Sequence, residues 1–187
     1  MKKVMSILLA AVIMLLCLSG CGGDDAKLYF PDNSSLKLSA SKDEIIKAQN
    51  LELDEETSNI ISQDRYLPKD DTPVEISGIK FDRAYYFNRD GSFDGVIYSA
   101  WDMDSEKAQA SLDSLKKYCD KIYGQSEVLD EVYEQPNGSE TKEKRMSGYR
   151  WGFSNEQGND YEVVAYISTS YDGTQKVGLQ VGLNSEE

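Results

Sequence analysis

The chain reads as an α+β protein: an antiparallel sheet of about five or six strands, one long helix packed on one face, and a short N-terminal helix. Three observations carry that expectation. Apolar residues between 105 and 123 recur at helical spacing, segments before and after that stretch alternate apolar and polar residues with period two, and clusters of Gly, Asn, Asp and Pro separate them.

Residues 1 to 20 stand apart from this domain. Lys2 and Lys3 precede a run from Val4 to Leu18 broken only by Ser6, and Ser19-Gly20-Cys21 follows. The pattern is that of an export signal. As a helix the run would reach only about 22 Å, short of the roughly 30 Å hydrocarbon core, which argues against an uncleaved spanning helix. The tetrapeptide Leu18-Ser19-Gly20-Cys21 resembles the lipobox of bacterial lipoproteins. That resemblance implies a diacylglycerol unit, with palmitate-type chains, on the Cys21 sulfur, cleavage before Cys21, and a location on the extracytoplasmic face of a bacterial cell membrane, inner or outer. One acyl chain binds a membrane only marginally, whereas two or three, at about 0.8 kcal/mol per buried methylene, anchor stably. The expected organisation is a signal over 1–20, a lipidated tether over 21–27 and a single domain over 28–187.

Composition then excludes whole classes of chemistry. Removing Lys2 and Lys3 with a leader that contains no acid takes the formal charge from −13 to −15. Such a body repels phosphate backbones, so no nucleic-acid partner is expected. It also repels anionic lipid headgroups, so the domain should stand off its membrane. With Cys17 in the signal and Cys21 lipidated, Cys119 is the one cysteine of the domain, which rules out an internal disulfide. The chain has no histidine, so catalysis through Ser-His-Asp or Cys-His and histidine-ligated zinc are excluded. No cofactor is expected.

Along the domain, Leu28 to Leu38 is too mixed to assign. Ser41-Lys42-Asp43-Glu44 is a capping box, and with Ile45, Ile46 and Ala48 it predicts a helix near 42–50. Leu51 to Ser77, with Asp54-Glu55-Glu56, Pro68, Asp70-Asp71 and Pro73, reads as connecting segment. Ile79, Phe81, Tyr85 and Phe87 share one strand face with Arg83 between them, Asn88-Arg89-Asp90-Gly91 turns the chain, and Phe93 to Trp101 returns. Ala108, Leu112, Leu115, Cys119 and Ile122 then form the apolar stripe of the long helix, stopped at Gly124. Strands are expected over Glu127 to Tyr133, Arg145 to Phe153 and Tyr161 to Ser168, separated by Pro136-Asn137-Gly138 and Asn155 to Asp160. Asp172-Gly173 should turn into a last strand where Val177, Leu179, Val181 and Leu183 alternate with Gly178, Gln180 and Gly182.

The helix opening Ser41-Lys42-Asp43-Glu44-Ile45-Ile46 and the strand order after it resemble the β-lactamase-inhibitor-protein-like lipoprotein domains. Ser39 and Ala40 depart from that family, which tends to carry Gly and a larger apolar residue there, as does the long connection from Leu51 to Ser77. The resemblance implies a binding scaffold rather than an enzyme.

Few residues suggest chemistry. Asp102, Asp104 and Glu106 have the spacing that begins a calcium loop, but Lys107 and Asp113 stand where glycine and a bidentate glutamate are needed, and helix capping by Asp104 is the simpler reading. Tyr149, Trp151 and Phe153 form an aromatic row that either stacks on sugars or a partner, with Gly148 and Gly152 opposite, or buries against the long helix. Asp90, Asp94 and Glu162 are carboxylates without a pairing pattern. Cys119 reads as a small buried hydrophobe. The expected function is therefore a lipid-anchored extracytoplasmic binding or interaction module, contacting an envelope protein or small ligand. Two alternatives stay open: a glycan- or solute-binding lipoprotein using Tyr149, Trp151 and Phe153, and a carboxylate-based hydrolase.

Overall fold

The computed structural model describes residues 28–137, 140–155, 158–169 and 173–184. It is α+β, with eleven strands and three helices among them. The strand number exceeds expectation because two stretches that lack periodicity are nonetheless structured. The first is a hairpin of β1 (Tyr29–Phe30) and β2 (Asn33–Lys37). The second follows helix α1 (Lys42–Ala48) and comprises β3 (Leu51–Leu53), helix α2 (Glu55–Ile60), β4 (Gln63–Pro68) and β5 (Val74–Ile76).

The acidic cluster at 54–56 thus opens a helix instead of a loop: the Asp54 carboxylate accepts from Thr57 N at 3.2 Å, and Glu55 and Glu56 sit in the first turn, where the helix dipole favours anions. The backbone N–H of Arg65 donates to buried Ser58 Oγ at 2.8 Å, fastening α2 to β4. At α1 the capping box is formed in full, as Ser41 accepts from Glu44 N and Glu44 accepts from Ser41 N at 2.9 Å.

The remaining elements are β6 (Ile79–Asn88), β7 (Phe93–Met103), helix α3 (Ser105–Tyr123), β8 (Glu127–Asn137), β9 (Glu140–Ser154), β10 (Asp160–Thr169) and β11 (Gln175–Leu183). Gly138 and Asp172, two of the expected turn residues, lie outside the described residues. Nine strands form one antiparallel sheet in the order β3-β4-β6-β7-β11-β10-β9-β8, with β5 paired to β6 beside that path. The last strand therefore inserts between β7 and β10.

One face of this sheet is the core. Phe81, Tyr85, Phe87, Val96, Tyr98, Val163, Ala165, Val177, Leu179 and Val181 are all buried there, and Ala108, Leu112, Leu115 and Cys119 of α3 cover part of it. The helix packs on β9, β10 and β11. The β1–β2 hairpin and α1 add Phe30, Leu36, Leu38 and Ile45 to the same core, with Phe30 edge-on to Phe93 at 5.4 Å between ring centroids. No described helix is long and apolar enough to cross a membrane.

Candidate functional site

The face of the sheet away from α3 is open, and a defect in β7 shapes it. Gln175 pairs with Met103 and Val177 with Ala100, so Trp101 and Asp102 together oppose the single residue Lys176. This is a bulge, and Asp102 takes φ +56° within it, a conformation Asp tolerates better than most residues. The extra residue presents Trp101 to solvent, 54% exposed. The Lys176 ammonium lies 4.9 Å from the Trp101 ring centroid and 5.4 Å from that of Tyr166, within cation–π range of both.

Tyr166 itself is buried on this face because its cross-strand neighbours are glycines, Gly148 on β9 and Gly178 on β11. A Cβ at Gly178 would stand 2.3 Å from Tyr166 Cζ, so only glycine lets the ring lie across the strand. Leu129, Val164 and Tyr166 form a second, small core here.

Beside Trp101 a groove of about 400 Å³ is lined by Arg65, Leu67, Tyr86, Ile97, Trp101 and Lys176, with exposed Asp82 at its rim. The Arg65 guanidinium is held in place by the Asp54 carboxylate and by Thr57 Oγ1 at 3.2 Å. Asp82 and Ser99 face each other across β6 and β7 at the groove's edge, and an aliphatic and aromatic floor with cations at the margin suits the binding of a planar or apolar group. Among the described residues no three of His, Cys, Asp or Glu converge to hold a metal.

The residues singled out from the sequence fall elsewhere. Tyr149, Trp151 and Phe153 line the core face, beneath α3. Trp151 is 1% exposed and its Nε1 donates to Asp120 at 3.1 Å. Phe153 is stacked between Tyr123 and Tyr161 with centroids 5.2 and 5.4 Å away, and Lys116 Nζ lies 5.0 Å from the Tyr149 ring. Trp151 and Phe153 are covered by the protein's own side chains, and Tyr149 is half-buried beside them, which is the burial alternative of the two. Opposite the row, Gly152 is open, but at Gly148 a Cβ would meet Ala165 O at 2.0 Å.

Asp104 caps α3, accepting from Lys107 N at 2.8 Å, and Glu106 sits in its first turn. Asp90 accepts from Ser92 N at 2.9 Å within the β6–β7 turn, and Glu162 is ion-paired with Arg150 at 2.9 Å. Burial pushes the Cys119 thiol up to about 12, which makes it a poor nucleophile. Cys21 lies outside the described residues.

Trp101 escaped the sequence reading as a site residue because it stands at the end of an expected strand. The Trp101-Asp102 pair followed by the Asp104 cap is the one local signal, and it marks a strand end as readily as a bulge. Fold and groove together define an open-faced α+β sheet protein. No family model, curated protein or solved structure matches the chain, so the resemblances to bacterial lipoproteins and to the inhibitor-like domains stand on their residues alone.

Proposed function

We propose that the protein is a lipid-anchored, extracytoplasmic binding module that receives an envelope protein or small ligand on the outer face of its sheet. The anchor rests on Leu18-Ser19-Gly20-Cys21 and the apolar run before it. The observation that carries the binding reading is Trp101, a bulge residue more than half exposed at the lip of a groove. Large exposed aromatics flanked by anchored cations are costly to leave in water and are common at the centres of recognition surfaces. A hydrolase needs two facing acids, one of them in an apolar wall. The deeply buried carboxylate of Asp32, its side chain 1% exposed, faces a guanidinium and two phenols and not a second acid.

Metabolic labelling with an alkyne fatty acid tests the anchor: the wild-type chain takes the label and Cys21→Ser does not. Labelling of both, or of neither, counts against it. Cross-linking of the anchored chain in its native envelope, compared with Trp101→Ala, tests the face. Adducts should be lost with Trp101→Ala at an unchanged melting temperature, and an identical adduct pattern would remove this face from consideration. Turnover of glycans, peptides or phosphoesters by the purified chain would defeat the binding reading as a whole.

A further inference from the structure

The β8 end of the sheet presents a different surface, four strands away from β7 in the sheet order. Among the described residues β8 pairs with β9 alone, over a register from Glu127↔Arg150 to Asn137↔Glu140, which leaves the backbone groups of its other edge facing outward from Glu127 to Gln135, ahead of Pro136, which has no N–H to donate. Edge strands are normally kept short, bulged, charged or proline-bearing, and β8 carries several acids and Pro136 but no lysine. This one has a continuous register and carries two valines on one side, Val128 at 80% and Val132 at 60% exposure. Helix α3 leaves them uncovered, and between it and β8–β9 runs a groove of about 390 Å³ that includes Gln109, Leu112, Val128 and Tyr149.

The charges of the strand decide what can pair with it. Glu127, Asp130 and Glu131 are all acidic, and the arginines that answer them, Arg145 to Asp130 at 2.8 Å and Arg150 to Glu131 at 2.9 Å, lie on the inner neighbour β9. A strand added outside β8 would bring the Cβ atoms of its directly opposed residues about 4.5–5.5 Å from those of the acidic residues, on the side without arginines. A second copy of β8 would bring its own Glu127, Asp130 and Glu131 to the same edge, an accumulation of like charge that disfavours self-pairing. A segment with apolar residues against Val128 and Val132 and lysine or arginine on the other face would answer Glu127 and Glu131 and extend the backbone ladder, while Asp130, on the valine face, keeps its pair with Arg145.

We propose that β8 accepts an extended, basic segment of another polypeptide as an additional strand of the sheet. This surface is separate from the Trp101 groove, so failure here leaves that reading untouched.

The test titrates the full-length chain in neutral detergent with three ten-residue peptides: alternating valine and lysine, alternating valine and glutamate, and the valine–lysine peptide N-methylated at alternate amides. The valine–lysine peptide should bind. Its affinity should fall at least about tenfold on exchange of lysine for glutamate, on N-methylation, which blocks strand pairing, and with the double variant Val128→Lys/Val132→Lys, whose sites are exposed and whose melting temperature should be unchanged. Lack of binding by the valine–lysine peptide, or equal binding by the N-methylated peptide, overturns the proposal. So does a dimer of the wild-type chain in sedimentation that the double variant abolishes, since the occupant would then be a second copy.

Discussion

Tyr98 Oη donates to an Asp32 carboxylate oxygen at 2.6 Å, joining the turn of the first hairpin to the middle of β7. The second Asp32 oxygen accepts from Arg83 Nη1 at 3.0 Å and from Tyr85 Oη at 3.4 Å, and the Asp32 side chain is 1% exposed. Beside it, Tyr118 Oη donates to Pro31 O at 3.3 Å, so helix and sheet grip the same turn. Asp32→Ala would leave the Arg83 cation, itself 12% exposed, buried without a counter-charge. The expected loss is about 3–5 kcal/mol, read as a lower urea midpoint at unchanged slope. The double variant Asp32→Leu/Arg83→Met should recover part of that loss, because no charge is then stranded.

Alkaline pH should unfold the protein through its buried phenols. Burial first, and the Asp32 charge second, push Tyr85 and Tyr98 well above the ordinary tyrosine value, and burial does the same to Tyr123. A raised folded-state pKa means that stability is complete below the unfolded value of about 10 and falls as pH rises past it. Melting temperature should therefore decline from about pH 10 upward. Absorbance near 295 nm should show the slow fraction of tyrosines ionising together with unfolding.

Gly178→Ala would place a methyl group inside the Tyr166 ring position and should cost about 1–3 kcal/mol in chemical denaturation. Gly152→Ala, where nothing lies within 4 Å, should change stability by no more than about 0.5 kcal/mol.

The two tryptophans report on opposite faces. Acrylamide should quench the emission of Trp101, and Trp101→Phe should leave only the shielded, blue-shifted emission of Trp151. Quenching of the Trp101→Phe variant as strong as that of the wild type would contradict the burial of Trp151 beneath α3.

Cys119 should resist thiol reagents in the folded protein and react at the rate of global opening, given its full burial and a thiol pushed up to about 12. Stabilising conditions that slow unfolding should slow the reaction in proportion.

How much was legible follows the reach of each interaction. Helix α3 coincides with its expected span because its cap, stripe and stop are all local: Asp104, the Ala108–Cys119 face and Gly124 at φ +91°. Strands β6 and β7 were recognisable because one side of each is buried, which imprints alternation, whereas β10 is buried on both sides and reads as a continuous apolar run between turn residues. By contrast, every residue of β4 is half-buried, and β3 has one buried residue, Leu51, so neither shows a period. These strands are held by partners such as Lys42 and Asp64, 2.9 Å apart, and Ser58 with Arg65. The hairpin of β1 and β2 is anchored by Asp32, whose three partners are read only after the chain folds back on itself.

The amino-acid order alone determined the class of fold, the long helix and the exclusions that come from lacking histidine and from having one cysteine in the domain; it also carries the lipobox expectation. Alternation along a strand separates two faces without saying which one a helix will cover. That choice depends on where β11 inserts and on which aromatic row α3 meets, so tertiary packing alone decided that Trp151 is core and that Tyr149 and Phe153 pack half-buried against it. The exposure of Trp101 has the same origin, since a bulge exists only relative to the partner strand that it interrupts.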